Sequence, residues 1–273
     1  ERSMSVLCLD PSEVLHETLK EKARGATLFS ATLEPFDYYQ NLLSKGEGGT
    51  LKLPSPFDPR CLGLFVDVSH SLRYKDRMQA IPRITDTLIA LTESGPFHMM
   101  TYFPSFAFMK EVLKKNPLQK QHCYIQTPGM SPEEKEGLFR EFKKPADHPK
   151  MLWTVLGGSF SEGIELEDNL LKGVFIIGTA LPTVSQLKKL EMHRFNEKYG
   201  DGFHYAYTYP GMTKVIQAVG RVIRRLEDTG IAILMDDRYA TPTYQSLMPT
   251  AWNHAKYLEE DDYIQGYLKA FFK

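Results

Sequence analysis

The stretch Gly211–Asp237, GMTKVIQAVGRVIRRLEDTGIAILMDD, decides how this chain is read. Its first part carries apolar residues at helical spacing: Met212, Val215, Ile216, Val219, Ile223 and Leu226 gather on one side of a helix predicted over 212–227. Gln217, Arg221 and Arg224 fall on the opposite side, within about 60° of one another at about 100° per residue. One face is thereby assigned to a core. The other holds out an amide and two guanidiniums, forked donors suited to phosphate oxygens and to developing negative charge. Gly220 between them leaves room for close approach. An apolar strand, Ile231–Asp236, follows within a few residues, so the helix is expected to dock beside a sheet edge, where ligand crevices of α/β folds form. An arbitrary pair of arginines on an amphipathic helix is more often a solvated basic face. The strand that follows at once is what turns the reading toward a site.

Outward from this stretch, short β-rich apolar runs alternate with helical patterns, the rhythm of βαβ units around a mainly parallel sheet. Strands are predicted at Thr27–Leu33, Leu62–Val68, Phe97–Phe103, His122–Thr127, Met151–Leu156, Gly173–Thr179 and Ile231–Asp236. Helices are predicted at Ser12–Ala23, Phe36–Leu43, Arg83–Thr92, Phe106–Lys115, Pro132–Phe142 and Val184–Tyr199. Ser131-Pro132-Glu133-Glu134 is a helix start, with a capping hydroxyl, proline in the first turn and acids at the positive end of the dipole. The Pro/Gly-rich segment 44–59 reads as a linker or surface excursion, and Tyr257–Lys273 as a closing helix after the sheet rhythm stops at Tyr239. Tyr205, Tyr207 and Tyr209 read as aromatic packing beneath the helix.

The 33 basic residues nearly cancel the 34 acidic ones, so a contact with nucleic acid has to rest on a local patch rather than on a global field. Cys8, Cys61 and Cys123 are far apart and odd in number, which implies neither a disulfide framework nor a zinc or iron–sulphur site, and no metal site is expected. They read as reduced thiols of the cytoplasm, in a bacterial cytosol. No apolar run reaches the roughly 18 residues of a membrane span, so no membrane partner is expected. The chain starts Glu1-Arg2-Ser3, with no initiator Met, and its first motif arrives within thirty residues, which reads as a piece of a longer polypeptide.

The run QAVGRVIRR, with Asp228 and the Asp236-Asp237-Arg238 group after it, resembles motif VI of superfamily 2 helicases, specifically the XPD/DinG family of 5′ to 3′ DNA helicases. Other segments resemble further motifs of that family. Leu28–Pro35, LFSATLEP, is similar to motif III; Tyr102–Phe106, YFPSF, to motif IV; and Gly157–Leu166, GGSFSEGIEL, to motif V. The resemblance runs from about Ser5 to Tyr239. It implies a RecA-like domain of the P-loop-NTPase type, the second motor domain of the helicase, with residues 1–45 a lead-in near the missing first motor domain and 46–273 the domain itself. Gln217, Arg221 and Arg224 then face a nucleotide, the two arginines as fingers, with Gly163 and Glu165 also toward the nucleotide. The family usually has Asp where this chain has Glu165, which displaces the charge by one methylene.

The same resemblance assigns a track for single-stranded DNA to Ser30, Thr32, Phe103, Ser105, Gly158, Ser159, Ser161, Glu162 and Arg73. Physically, glycines let backbone N–H groups approach phosphate, and hydroxyls add contacts that do not read sequence. Strand alternation turns Ser30 and Thr32 to one side, Phe103 and Phe106 suit either a base or a core, and Ser71, Arg73 and Arg77 can add charge to the path. Asp228, Asp236 and Arg238 are expected to pair structurally.

Nowhere does the sequence contain G-x-x-x-x-G-K-[ST] or a D-E-A-H motif to hold magnesium, and it lacks the four cysteines of the family's 4Fe–4S cluster. ATP and Mg2+ are therefore expected mainly on the N-terminal motor domain of the same polypeptide, which would also carry any cluster, and this chain alone is expected to be inactive. The rival readings are a nucleic-acid-binding module without turnover and an inert subunit-contact domain whose arginines pair with acidic groups of a protein partner.

Overall fold

The computed structural model describes residues 4, 6–115, 118, 122–157 and 170–272. It resolves into two compact units: Glu1–Pro54 with Leu181–Thr213, and Ser55–Ala180 with Lys214–Lys273. The exposed, irregular segment 45–58 runs from one into the other, as the Pro/Gly-rich composition predicts. The smaller unit is therefore not confined to the lead-in, because it also draws on residues after Ala180.

The larger unit is a seven-stranded parallel sheet in the order β3-β4-β2-β5-β6-β1-β7. Its strands are β1 Leu62–Asp67, β2 His98–Phe103, β3 Cys123–Ile125, β4 Lys150–Val155, β5 Leu171–Ile177, β6 Gly230–Met235 and β7 Lys256–Leu258. Helices α3 (Ile81–Glu93), α4 (Phe106–Lys115) and α5 (Pro132–Lys143) connect the first four strands, and α8 (Pro242–Ser246) and α9 (Ile264–Phe271) follow β6. Alternate strand residues feed one core: Met99 and Phe103, Met151 and Trp153, Phe175 and Ile177, Ile231, Ile233 and Met235 pack with Ile84, Leu88 and Leu91 of α3 and Phe108 and Val112 of α4. The residues between them, Met100, Tyr102, Leu152, Ile176, Ala232 and Leu234, are equally buried. A sheet covered on both faces needs such unbroken apolar strands, and their interiors here read as nearly continuous hydrophobic runs.

The capping box of α5 forms as the sequence predicts: Ser131 Oγ accepts from Glu134 N, and the Glu134 carboxylate accepts from Ser131 N. Two expectations fail. Residues 27–33 form no strand and are largely exposed, because an apolar segment becomes a strand only where a sheet edge receives it. β7 was not foreseen: three residues have too little periodicity to read, and its place at the sheet edge is set by pairing with β1.

The smaller unit is helical: α1 (Ser12–Lys22), α2 (Phe36–Ser44), α6 (Gln186–Tyr199), a π-helical turn His204–Thr208, and the start of α7 (Tyr209–Val219). Tyr38, Phe195, Tyr205, Ala206 and Tyr207 form its core, so the alternating tyrosines are packing residues, as expected. Asp10 fixes the entry to α1, accepting from Ser12 N (3.1 Å) and from Lys198 Nζ of α6 (2.6 Å).

A candidate phosphate-facing site at the end of helix α7

Helix α7 stops at Val219, so the single helix predicted over 212–227 is not what forms. Gly220 follows, and the chain tightens: Arg221 N donates to Ala218 O (3.4 Å) and Val222 N to Val219 O (3.0 Å), three-residue closures of the last turn. Asp228 completes the departure. Its buried Oδ2 accepts from the backbone N–H of Arg224 (2.8 Å) and of Arg225 (2.9 Å), offering these amides a partner that a continued helix would have had to replace. Val222 turns inward over the start of β6, with its Cγ1 2.4 Å from where a side chain on Gly230 would begin. Of the predicted apolar face, Met212, Val215 and Val219 are buried, whereas Leu226 is 72% exposed because it lies beyond the helix. Asp228 thus holds the turn together, as its structural reading required.

The polar residues of this segment still reach solvent. Gln217 is exposed on α7, Arg224 is exposed in the turn, and Arg221 is half-buried. The Arg221 charge lies near the hydroxyl of Tyr102, the penultimate residue of β2, whose proton goes to Met100 Sδ (3.5 Å). Burial pushes the Tyr102 phenol up to about 12, and the Arg221 charge opposes that rise. Three residues farther on, Ser105 Oγ accepts from Phe108 N (3.2 Å) and so caps α4, leaving this half-exposed hydroxyl at the carboxyl end of the sheet. Gly157, just past β4, has φ of +83°, and a Cβ there would lie 2.8 Å from Lys214 Nζ, so a lysine of α7 overlies the first glycine of the GGSFSEGIEL segment.

Phe103 is corrected. It is fully buried, its ring 5.0 Å from that of Trp153, and cannot stack on a base without opening the core. Its inward turn follows from strand alternation, which makes it a neighbour of Thr101 and not of Tyr102.

The carboxyl ends of β1 and β6 are locked by ion pairs. Arg238 grips Asp236 through two bonds of 2.7 and 2.6 Å, Arg83 bonds Asp67 at 2.7 Å, and Arg73 pairs with Asp237 while also bonding Ser71 Oγ at 3.1 Å. Asp236 and Arg238 are structural, as expected. Arg73 is exposed and shares its charge with Asp237. In the smaller unit, Ser30 Oγ and Thr32 Oγ1 lie 3.3 Å apart. The pair meets as predicted but in a turn, not on a strand face. Gly158, Ser159, Ser161, Glu162, Gly163 and Glu165 lie outside the described residues.

A family profile described as the helicase C-terminal domain matches residues 88–255, a span from α3 through β6 and the arginine turn. The chain belongs to the helicase C-terminal domain family. It is 25% identical to the ATP-dependent DNA helicase CHL1 of Debaryomyces hansenii over 274 residues, covering 89% of this chain and 33% of that protein. For chl1 of Schizosaccharomyces pombe the figures are 26% over 281 residues, 90% and 32%. The XPD helicase subunit of general transcription and DNA repair factor IIH from Dictyostelium discoideum is 24% identical over 251 residues, covering 85% and 32%. The chain therefore spans about a third of the length of the curated relatives it matches. A solved XPD helicase shares the fold with a TM-score of 0.65 at 21% identity, over 84% of this chain and 42% of that one; apo XPD gives 0.59 at 22%, over 72% and 40%. The sheet is that of the RecA-like helicase domains, and the resemblance to XPD-type helicases holds.

Within this helicase C-terminal domain, neither the nearness of the Arg221 charge to Tyr102 nor that of Lys214 to Gly157 is legible in the sequence, since each joins residues far apart in the chain. Among the described residues no group of three or more His, Cys, Asp or Glu side chains is placed to hold a metal ion. Among them, too, no helix is long and apolar enough to cross a membrane.

Proposed function

We propose that this helicase C-terminal domain is the second motor domain of an ATP-dependent DNA helicase, moving 5′ to 3′ on single-stranded DNA. In this reading it supplies Arg221 and Arg224 to ATP bound by a first motor domain on the same polypeptide. The observation that carries the reading is the pair of arginines beyond α7, one exposed and one half-buried near β2, inside a segment that belongs to the helicase family.

ATP and Mg2+ sit mainly on the other motor domain: this sequence has no P-loop, and among the described residues no three or more His, Cys, Asp or Glu side chains gather into a metal site. A 4Fe–4S cluster, where the polypeptide has one, belongs there as well: Cys8, Cys61 and Cys123 do not meet the need for four clustered thiolates. On closure of the two motor domains, Arg221 and Arg224 place donor forks on the γ-phosphoryl oxygens as water displaces ADP, while Gln217 fixes the attacking water or a γ-oxygen. Fingers of this kind contribute roughly 10³–10⁵ in rate in phosphoryl-transfer enzymes. Ser105 and the segment from Gly158 to Glu162 hold phosphates of the DNA strand, with Arg73 extending the track. These contacts read no sequence.

The test is ATP turnover, stimulated by single-stranded DNA, in the complete polypeptide and in its Arg221→Ala and Arg224→Ala variants. The expected result is a fall in kcat of about 10²–10³ for each with little change in KM for ATP. Turnover equal to wild type in both variants removes the finger assignment.

A further inference from the structure

We propose that Tyr74 is a stacking platform for a base of single-stranded DNA, and that Arg77, whose guanidinium lies over the same ring, holds the phosphate beside it. The inference rests on the reading of this domain as part of a DNA motor and adds to the strand's path a base contact that Ser105 and Arg73 do not supply.

The segment Arg73-Tyr74-Lys75-Asp76-Arg77 follows β1 and carries three basic residues to one acid, in a chain whose charges otherwise nearly cancel. It folds as a tight turn, in which Asp76 N and Arg77 N both donate to Arg73 O at 2.9 Å. Leu72 before the turn and Ala80 after it are buried in the core, and Arg73 is held by Ser71 Oγ and Asp237. Both ends are therefore fixed. Tyr74 and Arg77 stand three residues apart, the spacing that brings two side chains to one face of a helical turn. The Arg77 guanidinium carbon lies 4.6 Å from the centroid of the Tyr74 ring and 5.0 Å from that of Phe108 on α4.

Phe108 is buried, whereas Tyr74 is 81% exposed. One exposed aromatic residue is ordinary by itself. Here a cation lies against the ring and a closed turn carries it, so little freedom remains to be lost when a flat ligand settles on the open side. The Arg77 side chain is half-buried and, among the described residues, spends its charge on the two rings, with no hydrogen bond or carboxylate partner. Its N–H donors suit a phosphate. An aromatic ring serves any base, because every base has a π-face, and a neighbouring guanidinium serves the backbone that links the bases. A contact with another protein domain would call for an apolar centre depleted of charge, which Arg73, Lys75 and Arg77 around the ring do not provide. Phe108 also donates its N–H to Ser105 Oγ (3.2 Å). The platform and the proposed phosphate contact of Ser105 are thereby built on one turn of α4 and serve one stretch of strand.

The test is the Kd of the complete polypeptide for a fluorescein-labelled oligothymidylate and for an abasic strand of the same length, over a series of salt concentrations, in Tyr74→Ala, Tyr74→Phe and Arg77→Gln. Tyr74 is exposed, so both of its variants should keep the unfolding midpoint of wild type. The expected result is a loss of oligothymidylate affinity of roughly 5- to 100-fold in Y74A and within about twofold in Y74F, with Y74A and wild type alike on the abasic strand. R77Q should make the slope of log K against log salt shallower by about 0.7. Wild-type affinity in Y74A, or equal losses on the two strands, overturns the platform and leaves the DNA-motor reading standing. Y74F as weak as Y74A shows that the hydroxyl and not the ring makes the contact, and overturns it too. Unchanged Kd in Y74A with altered ATP turnover in the absence of DNA gives the patch to a contact between motor domains, which also overturns the proposal. An unchanged salt slope in R77Q takes Arg77 off the phosphate. A wild-type polypeptide whose binding to oligothymidylate is absent or indifferent to salt overturns the DNA-motor reading itself.

Discussion

Replacing Asp228 with alanine tests whether the turn that presents Arg224 exists for the reason given above. One carboxylate oxygen accepts the N–H of Arg224 at 2.8 Å and that of Arg225 at 2.9 Å, and the residue is 3% exposed. A hydrogen bond to a charged group contributes about 1.5–3 kcal/mol, so two such bonds bound the loss at about 3–6 kcal/mol. The side chains of 224–227 are exposed, and water reaching the freed amides lowers the expected destabilisation to about 2–4 kcal/mol. In a unit of this size each kcal/mol moves the unfolding midpoint by roughly 2–4 °C, giving a drop of about 5–15 °C. Asparagine keeps one oxygen for the two amides but loses the charge and puts an NH2 where the second, buried carboxylate oxygen has no hydrogen-bond partner, so D228N should cost about 1–3 kcal/mol. The assay is urea and thermal unfolding followed by tryptophan fluorescence. Trp153 and Trp252, the two tryptophans of the chain, both lie in the larger unit, so the signal reports on the unit that Asp228 serves. A D228A variant within about 0.5 kcal/mol of wild type refutes the claim that this carboxylate builds the turn.

Lysine should not replace the fingers: R221K is expected to keep less than about a tenth of wild-type kcat, because a compact ammonium does not present the planar fork that bonds phosphate oxygens in pairs, and recovery of turnover would contradict the finger role. Gly230→Ala should destabilise the larger unit by about 2–3 kcal/mol in urea unfolding, since its Cβ would lie 2.6 Å from the Lys172 carbonyl oxygen. Adding Val222→Ala, which clears only the 2.4 Å contact with Val222 Cγ1, should not restore stability. In the smaller unit, burial tends to raise the Asp10 carboxyl, but hydrogen bonds from Lys198 and Ser12 outweigh it and hold the group below its usual value. A depressed carboxylate stabilises the folded state above its unfolded value, near pH 4, and that contribution is lost as pH falls through the folded value. Amide exchange in α1 should therefore be slower in wild type than in Asp10→Asn at pH 6, and the difference should close as pH falls through the lowered folded value; a difference constant with pH contradicts the ion pair's role.

How far the sequence reached depended on how local each feature is. The strands Leu62–Asp67, His98–Phe103, Lys150–Val155, Leu171–Ile177 and Gly230–Met235 are nearly continuous apolar runs, and helix α5 announces itself by Ser131, Pro132 and Glu134, because a capping box needs only four neighbouring residues. The match of the motif VI segment to helicases likewise needed nothing beyond the residues in order. The end of α7 did not follow from periodicity. Ile223 and Leu226 continue the helical spacing, but spacing counts only apolar positions, and it could not register that Asp228 would capture the amides of Arg224 and Arg225 or that Val222 would be drawn over Gly230.

Sequence alone therefore determined the parallel sheet, the family and which arginines to examine, since these depend on patterns within one segment at a time. Tertiary structure decided where each guanidinium goes. The Arg221 charge lies near Tyr102 across more than a hundred residues of chain, Arg73 meets Asp237, and Phe103 turns into the core against Trp153. Contacts of that kind follow from the order in which strands lie in the sheet, β2 between β4 and β5, β1 beside β6, and no window of sequence holds that order.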